Sequence, residues 1–412
     1  MTDMRVDAAW LREAPLCDLL AALDRDGEEA RVVGGAVRNA LLAEPIGDID
    51  IATTALPEEV IRRVQAAGFK AVPTGIEHGT VTVVAAGRPF EVTTLREDVE
   101  TFGRHAKVAF GRDWRRDAER RDFTINALSA SRDGIVHDYA SGLADIAARR
   151  VRFIGDPAQR IAEDYLRILR FFRFHAAYGE GAPDPAGLAA CIKARAGLER
   201  LSRERVRMEV LKLLVARRAL PALTVMTETG LLEQVLGGVP LLASFGNMVK
   251  LEHALALAPD AVRRLGALAV AVAEDAERLR ERLRLANTEY ERLASLAEHW
   301  QQISRQWDEQ RARELLYRLG RERFTDRVLL AWTRSPEGVT DPAWRALATL
   351  PARWSAPDFP LKAADFLARG VPRGPRLGAV LAAAEAAWIA AGFPREAAAL
   401  AAIADAAVAE IG

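Results

Sequence analysis

The chain has 412 residues, half of them hydrophobic, with 57 basic and 57 acidic side chains and two cysteines, Cys17 and Cys191. That length exceeds one ordinary core and predicts two to four domains, while the balanced charge excludes a global field that would advertise nucleic acid, although a local basic stripe suffices for an RNA partner. Two thiols far apart, no cationic-then-apolar leader and no apolar run of spanning length predict a reduced, cytoplasmic protein with no membrane segment.

In chain order, residues 1 to about 30 read as an amphipathic helix, with Trp10, Leu11, Leu16, Leu19, Leu20 and Leu23 at helical spacing and a stop near Gly27. From Arg31 to about Gly155 short β-branched runs alternate with helical stretches, the texture of an α/β head. Pro57 to Ala67 predicts a helix with proline in its first turn. Thr80–Ala85 and Phe90–Thr94 predict a hairpin about a turn containing Gly87. Arg96 to Phe123 is crowded with both signs of charge and predicts a solvated, mobile loop. Beyond about Asp156 the chain reads as Ala/Leu/Arg/Glu helices punctuated by Pro and Gly. The fold class is therefore α+β, with an α/β head (1–155), a helical neck (156–235) and a helical body and tail (236–412).

The chemistry concentrates between Val32 and Asp50. An apolar lead-in runs into Gly34-Gly35 and then a helix from Ala36 to Leu42. Glycines without Cβ let a phosphate approach the backbone, and a helix N-terminus offers it free N–H groups. Arg38, one turn in, can reach the same phosphates. Asp48 and Asp50 flank Ile49, and in a strand such residues share a face. Two carboxylates on one face beside a phosphate cradle are what a pair of Mg²⁺ ions needs for in-line phosphoryl or nucleotidyl transfer. Each half alone is also met in plain turns and solvated loops; their closeness favours the functional reading.

Downstream, Glu91 sits between Phe90 and Val92 and is either a third carboxylate of that site or a surface residue on an edge strand. Arg121 can clamp a phosphate and Asp122 can accept from a ribose hydroxyl. Glu163 to Phe174 predicts a helix with Leu166, Leu169 and Phe172 on one face and Asp164, Arg167, Arg170 and Arg173 stepping along another. An ion-paired helix surface would look the same. A fixed Asp/Arg pair, though, offers one acceptor and two donors, enough to read the edge of a nucleobase. Local basic clusters at Arg203/Arg205/Arg207, Arg311/Arg313/Arg318 and Arg373/Arg376 are candidates for RNA phosphates, or solvated arginine faces.

GGAVR with DID, then RRDFTINAL, then EDYLRILRFFRF and LSRERVRMEVLKLL, resemble in content and order the class II tRNA nucleotidyltransferase and poly(A) polymerase family, within the polymerase-β-like nucleotidyltransferases. The resemblance covers about Val32 to Leu214. It implies Asp48 and Asp50 as Mg²⁺ ligands with Glu91 as third carboxylate, and Gly34, Gly35, Arg38 and Arg121 on the triphosphate. It further implies Asp122 on the ribose, and Asp164 and Arg167 as a protein template for CTP and then ATP. Arg170 and Arg173 would finish the nucleotide pocket, and Ser202 to Lys212 would brace it. Asn39 departs from the Asp that many relatives carry. His78-Gly79-Thr80 and the following strand are similar to the CCA-adding members, which act on tRNA. A poly(A) polymerase, an A-adding specialist and a catalytically silent RNA-binding protein on this scaffold are the alternatives.

Overall fold

Seven strands of the N-terminal part form one mixed sheet in the computed structural model, which describes residues 4–102 and 105–411 and the side chains of all of these but 97–109. The chain divides into two compact units, Met1–Gly237 and Gly238–Gly412, so the expected head and neck fall within the first. The strands are β1 (Ala30–Val33), β2 (Asp50–Thr53), β3 (Lys70–Gly75), β4 (Thr80–Ala85), β5 (Arg88–Thr94), β6 (Arg96–Phe102), β7 (His105–Phe110), β8 (Ser129–Ala130) and β9 (Val136–His137). The sheet runs β3-β4-β5-β2-β1-β8-β9, and β6 and β7 pair only with each other.

Residue pattern explains the sheet. Val81, Val83 and Ala85 alternate inward along β4, as Phe90, Val92 and Thr94 do along β5. The β4–β5 turn places Ala86 (φ 49°) and Gly87 (φ 78°) in the left-handed region, the type I′ geometry whose twist matches the flanking strands. Among the described residues the one parallel pairing, β2 with β5, sets Asp50 opposite Glu91 and Ile51 opposite Val92. β1 is buried along its whole length between β2 and β8.

Helices α1 (Ala14–Leu23), α2 (Gly35–Leu42), α3 (Pro57–Ala66), α4 (Trp114–Glu119) and α5 (Gly142–Ala147) complete the head. The expected long N-terminal helix is shorter. Residues Ala9–Arg12 form a single 3₁₀ turn, Arg5 bridges to Ile135, and α1 starts at Ala14 because Pro15 suits a first turn but not a helix interior. The segment read as a solvated loop has regular backbone too: the β6–β7 ribbon, then α4, whose N-cap Asp113 accepts from the Arg115 and Arg116 amides. Residues 103 and 104, on which part of that expectation falls, lie outside the described residues.

The rest of the first unit is helical, with α6 (Pro157–Glu163), α7 (Leu166–Tyr178), α8 (Pro185–Lys193), α9 (Arg203–Leu214), α10 (Ala219–Glu228) and α11 (Leu231–Leu236). An aromatic cluster ties it to the head: Phe123 lies 4.9 Å from Phe153 and 5.3 Å from Phe174 between ring centroids, and Phe153 stacks on Phe171 at 5.4 Å. This cluster fixes α7 against the segment that carries Arg121 and Asp122.

The second unit is helical throughout, from α12 (Leu242–Ala254), α13 (Ala261–Ala269), α14 (Ala273–Leu283) and α15 (Asn287–Ala297) to α16 (Glu309–Thr333), which kinks at Gly320 (φ 73°). Its remaining helices are α17 (Pro342–Ala348), α18 (Leu350–Arg353), α19 (Ala363–Leu367), α20 (Pro375–Ala390) and α21 (Ala397–Ile411). Among the described residues, no helix is long and apolar enough to cross a membrane. Cys17 and Cys191 are free thiols.

Candidate active site

Gly34 begins the site. Its φ of 68° lies in the left-handed region, and a Cβ there would stand 3.1 Å from Arg121 Nη1, so only glycine fits. Gly35 opens α2, and the N-terminus of that helix gives onto a cavity of about 560 Å³. Arg38, Arg120, Arg121, Asp122 and Asn126 form part of its wall; Asp164, Arg167, Arg170 and Arg205 form another. Asp50 reaches the same cavity from the start of β2.

Asp48 lies in the irregular lead-in to β2 rather than in the strand, which starts at Asp50. Exposed Asp48, buried Ile49 and exposed Asp50 still alternate as an extended chain requires. Asp50 keeps solvent-accessible surface but is crowded by surrounding protein, and this partial desolvation, then the charges of Glu91 and Asp48, raises its carboxyl above the ordinary carboxylate range, with Arg121 opposing. A second cavity of about 220 Å³, lined by Glu91, Thr93, Arg96 and Asp117, meets the first at Asp50, Arg120 and Arg121. Glu91 therefore stands beside Asp50 but in the smaller chamber. Among the described residues, no group of three or more His, Cys, Asp or Glu side chains is arranged to hold a metal on its own. The oxygen donors of Asp48 and Asp50, with the mutual repulsion written into Asp50, nonetheless fit a hard divalent cation that takes further oxygens from a ligand.

The guanidinium groups are held in advance. Asp117, buried, accepts two bonds from Arg120 (2.7 and 2.8 Å) and a longer one from Arg121 (3.3 Å), which also donates to the Asn126 carbonyl. Burial opposes ionisation of Asp117, but Arg120 and Arg121 outweigh it and hold its carboxyl below the ordinary range. Asp122 is buried as well. Its oxygens accept from Arg170 Nε (2.7 Å), Asn126 Nδ2 (3.0 Å) and the Phe123 amide (2.9 Å), which overcome burial and keep it ionised. Any ribose hydroxyl would share an acceptor already in use. Arg173 lies off the cavity wall, donating to Glu209 at 2.5 Å and covering the Phe174 ring at 4.2 Å.

The base-reading segment departs from expectation. Glu163 to Phe174 is not one helix: α6 ends at Glu163, Asp164 is extended (φ −154°, ψ 106°), and α7 starts at Leu166. Asp164 bonds the Leu166 amide (3.1 Å) and receives Arg205 Nη2 (2.6 Å), so it is not paired with Arg167. Aspartate competes with the helical backbone for nearby N–H groups, which is why it caps here instead of continuing the helix. Arg167 donates to Glu163 and to the Arg160 carbonyl. Asp164 and Arg167 still meet on one cavity wall, brought there by the break and not by a shared helical face.

Comparison with known proteins agrees with the motifs. Residues 30–152 match the Poly A polymerase head domain, and residues 182–245 the probable RNA and SrmB-binding site of polymerase A. The mitochondrial CCA tRNA nucleotidyltransferase 1 of Danio rerio is 35% identical over 377 residues, covering 89% of this chain and 84% of that protein. The CCA-adding enzyme of Limosilactobacillus fermentum is 32% identical over 382 residues, covering 92% and 93%. The chain belongs to the CCA tRNA nucleotidyltransferase family. The crystal structure of the Bacillus stearothermophilus CCA-adding enzyme in complex with CTP superposes with a TM-score of 0.75 at 28% identity, over 96% of this chain and 98% of that one.

As a CCA tRNA nucleotidyltransferase family member, the chain is an enzyme with an N-terminal sheet head and a helical remainder. Several wall residues escaped the sequence reading. Asp117 and Arg120 fall in the stretch taken for a loop, and Asn126 lies within the RRDFTINAL motif without a role of its own there. Arg205 stood among candidates for RNA phosphates, although its place in LSRERVRMEV, expected to brace the pocket, was the available signal. Glu209 lies in that same bracing segment. For Asp117 the available signal was local: Arg120 and Arg121 follow at i+3 and i+4, the spacing at which helical ion pairs form.

Proposed function

We propose that this enzyme adds CCA to tRNA 3′ ends from CTP and ATP, without a nucleic-acid template. The observation that carries the reading is one cavity uniting the α2 N-terminus, Asp50, an arginine-lined wall and both Asp164 and Arg167. The relatives named for CCA addition support the substrate assignment.

In this reading Gly34, Gly35, Arg38 and Arg121 bind the triphosphate, with the α2 backbone amides pointing at it. Mg²⁺, held by Asp48 and Asp50, would neutralise charge on the triphosphate and ease ionisation of the attacking 3′-hydroxyl. Glu91, opposite Asp50 in the β2–β5 pair, faces the smaller chamber where that hydroxyl would enter and can accept its proton. Asp164 accepts the amino proton of cytosine or adenine, for which a carboxylate that takes one bond from Leu166 and two from Arg205 keeps a lone pair in reserve. Arg167 donates to the ring acceptors, since only its Nη1 is engaged by Glu163 and Arg160. Uracil and guanine present a carbonyl to Asp164, a mismatch worth about 1–3 kcal/mol in a desolvated site. Arg170 and Arg173 support this wall, Arg170 through Asp122.

The test is incorporation on a tRNA transcript lacking CCA, with each nucleotide supplied alone and together. CCA addition from CTP plus ATP is expected. Addition of A alone only to a transcript ending in CC points to an A-adding specialist, long A tails to a poly(A) polymerase, and no incorporation under any condition ends the catalytic reading. Asp164→Ala should admit UTP or GTP relative to wild type, and Arg167→Ala should lose C and A together. Unchanged kcat/KM ratios in both variants would remove the template role.

A further inference from the structure

Arg38 is clamped from three elements. Its Nε and Nη2 donate to Asn39 Oδ1 at 3.1 and 2.8 Å, its Nη1 donates to Asn126 Oδ1, and its Nη2 also donates to the Tyr178 hydroxyl at 2.7 Å. Its guanidinium carbon sits 3.9 Å above the Tyr178 ring and 5.3 Å from that of Phe174. A guanidinium has five N–H donors, so these bonds leave one Nη1 N–H for a ligand in the cavity that Arg38 lines. Burial works against the charge here. A donor group left with one open direction depends on how the other four are held.

Asn39 is the next residue on α2, so it moves with Arg38. Asn126 belongs to the cavity wall. Among the described residues, Tyr178, the last residue of α7, is the hydrogen-bond partner of Arg38 that comes from α7, and it supplies both a hydroxyl and a ring face, where Phe174 of the same helix supplies a more distant ring alone. It lies on the same helix as Arg167 and Arg170 but outside the cavity lining. We propose that Tyr178 is a positioning residue: by fixing the plane of Arg38 from the far end of α7, it aims the remaining Nη1 N–H at the triphosphate. The proposal rests on the triphosphate reading of the cavity. Because Tyr178 acts on the phosphate end alone, it governs CTP and ATP equally and leaves the choice of base to Asp164 and Arg167.

The experiment uses the full chain and Tyr178→Phe, which keeps the ring over Arg38 and removes the hydroxyl. Binding is measured with two probes in the presence of Mg²⁺: inorganic tripolyphosphate, which has no base, and cytidine, which has no phosphate. Tripolyphosphate affinity should fall about threefold to tenfold, the effect of one ordinary hydrogen bond, because Tyr178 acts through Arg38 and not on the phosphate itself, with cytidine affinity unchanged. KM for CTP and ATP should rise by that same factor, with kcat and the C-over-U ratio held. In an Arg38→Lys background, Tyr178→Phe should have no further effect on tripolyphosphate. Unchanged tripolyphosphate affinity in Tyr178→Phe overturns the proposal. So does an equal loss for both probes, which marks general loosening, or a full-sized loss in the Arg38→Lys background. If wild type binds tripolyphosphate but adds no nucleotide to tRNA, the functional reading fails while this assignment is still scored by the two probes.

Discussion

Asp50 is where stability and chemistry oppose each other in a single carboxyl. Partial desolvation, Glu91 and Asp48 raise its proton affinity above the ordinary aspartate value of 3.8. The sign follows from linkage: the folded state binds more protons than the unfolded chain between that value and the raised one, so stability falls as pH rises through this window. Ionised Asp50 is thus a destabilising charge in the metal-free protein near neutrality, and a divalent cation removes the repulsion. Asp50→Asn should therefore raise the metal-free Tm at pH 8 while abolishing incorporation. Mg²⁺ should raise the wild-type Tm at pH 8, do so far less near pH 4, and leave Asp50→Asn nearly unmoved. Thermal melts across pH check this; a Mg²⁺ shift of full size in Asp50→Asn would place the cation elsewhere. Asp117 and Asp122 have the reverse sign, since their paired carboxyls are held low and their stabilisation is lost as pH falls through those lowered values.

At the scale of elements, the α6–α7 break decides how the base is met. Leu166, Leu169 and Phe172 at helical spacing made α7 readable, and all are buried. The break was not, because Asp164-Tyr165 contains neither Gly nor Pro, and the partner that settles Asp164 is Arg205, 41 residues away. The β6–β7 ribbon escaped for another reason: its strands pair with each other and not with the main sheet, and their sequences, REDVETF and HAKVAF, show no strict alternation of apolar and polar residues. By contrast the β4–β5 hairpin was legible because alternation and turn chemistry agree within fifteen or so residues. The break also rests on Gly197. A Cβ there would fall 1.9 Å from the Tyr165 ring, so the ring, adjacent to Asp164, must move. Gly197→Ala should lower stability by about 1–3 kcal/mol, the usual range for overpacking, and reduce C-over-U discrimination with it. Gly338→Ala, with nothing within 4 Å, is the control. Lost stability with wild-type discrimination would show that Asp164 does not depend on this packing.

For the whole molecule, the sequence disclosed where helices replace strands, but not which charges are spent inside. In the second unit Glu252 and Asp326, each 1% exposed, gather Arg263, Arg264 and Arg292 into a buried network. Removing one member of such a network strands the others, so these arginines serve the fold. The same sorting narrows the candidates for RNA phosphates. Arg205 is committed to Asp164, Arg313 pairs with Glu309 at 2.6 Å, and Arg311 covers the Trp307 ring at 4.5 Å. Arg318, Arg373 and Arg376 stay exposed, the last two flanking Gly374 (φ 129°) at the start of α20. With 57 charges of each sign, net attraction to the proposed tRNA substrate is absent, and binding must come from such local groups. Each phosphate contact releases counterions, so log K against log salt loses slope by roughly one unit per contact removed. Arg373→Ala with Arg376→Ala should weaken tRNA binding and flatten that slope by about two. Arg313→Ala, whose charge is already answered by Glu309, should leave the slope as it is. An unchanged slope in the double variant clears α20 of phosphate contact, and a flattened slope in Arg313→Ala would mean that its pairing with Glu309 yields to RNA.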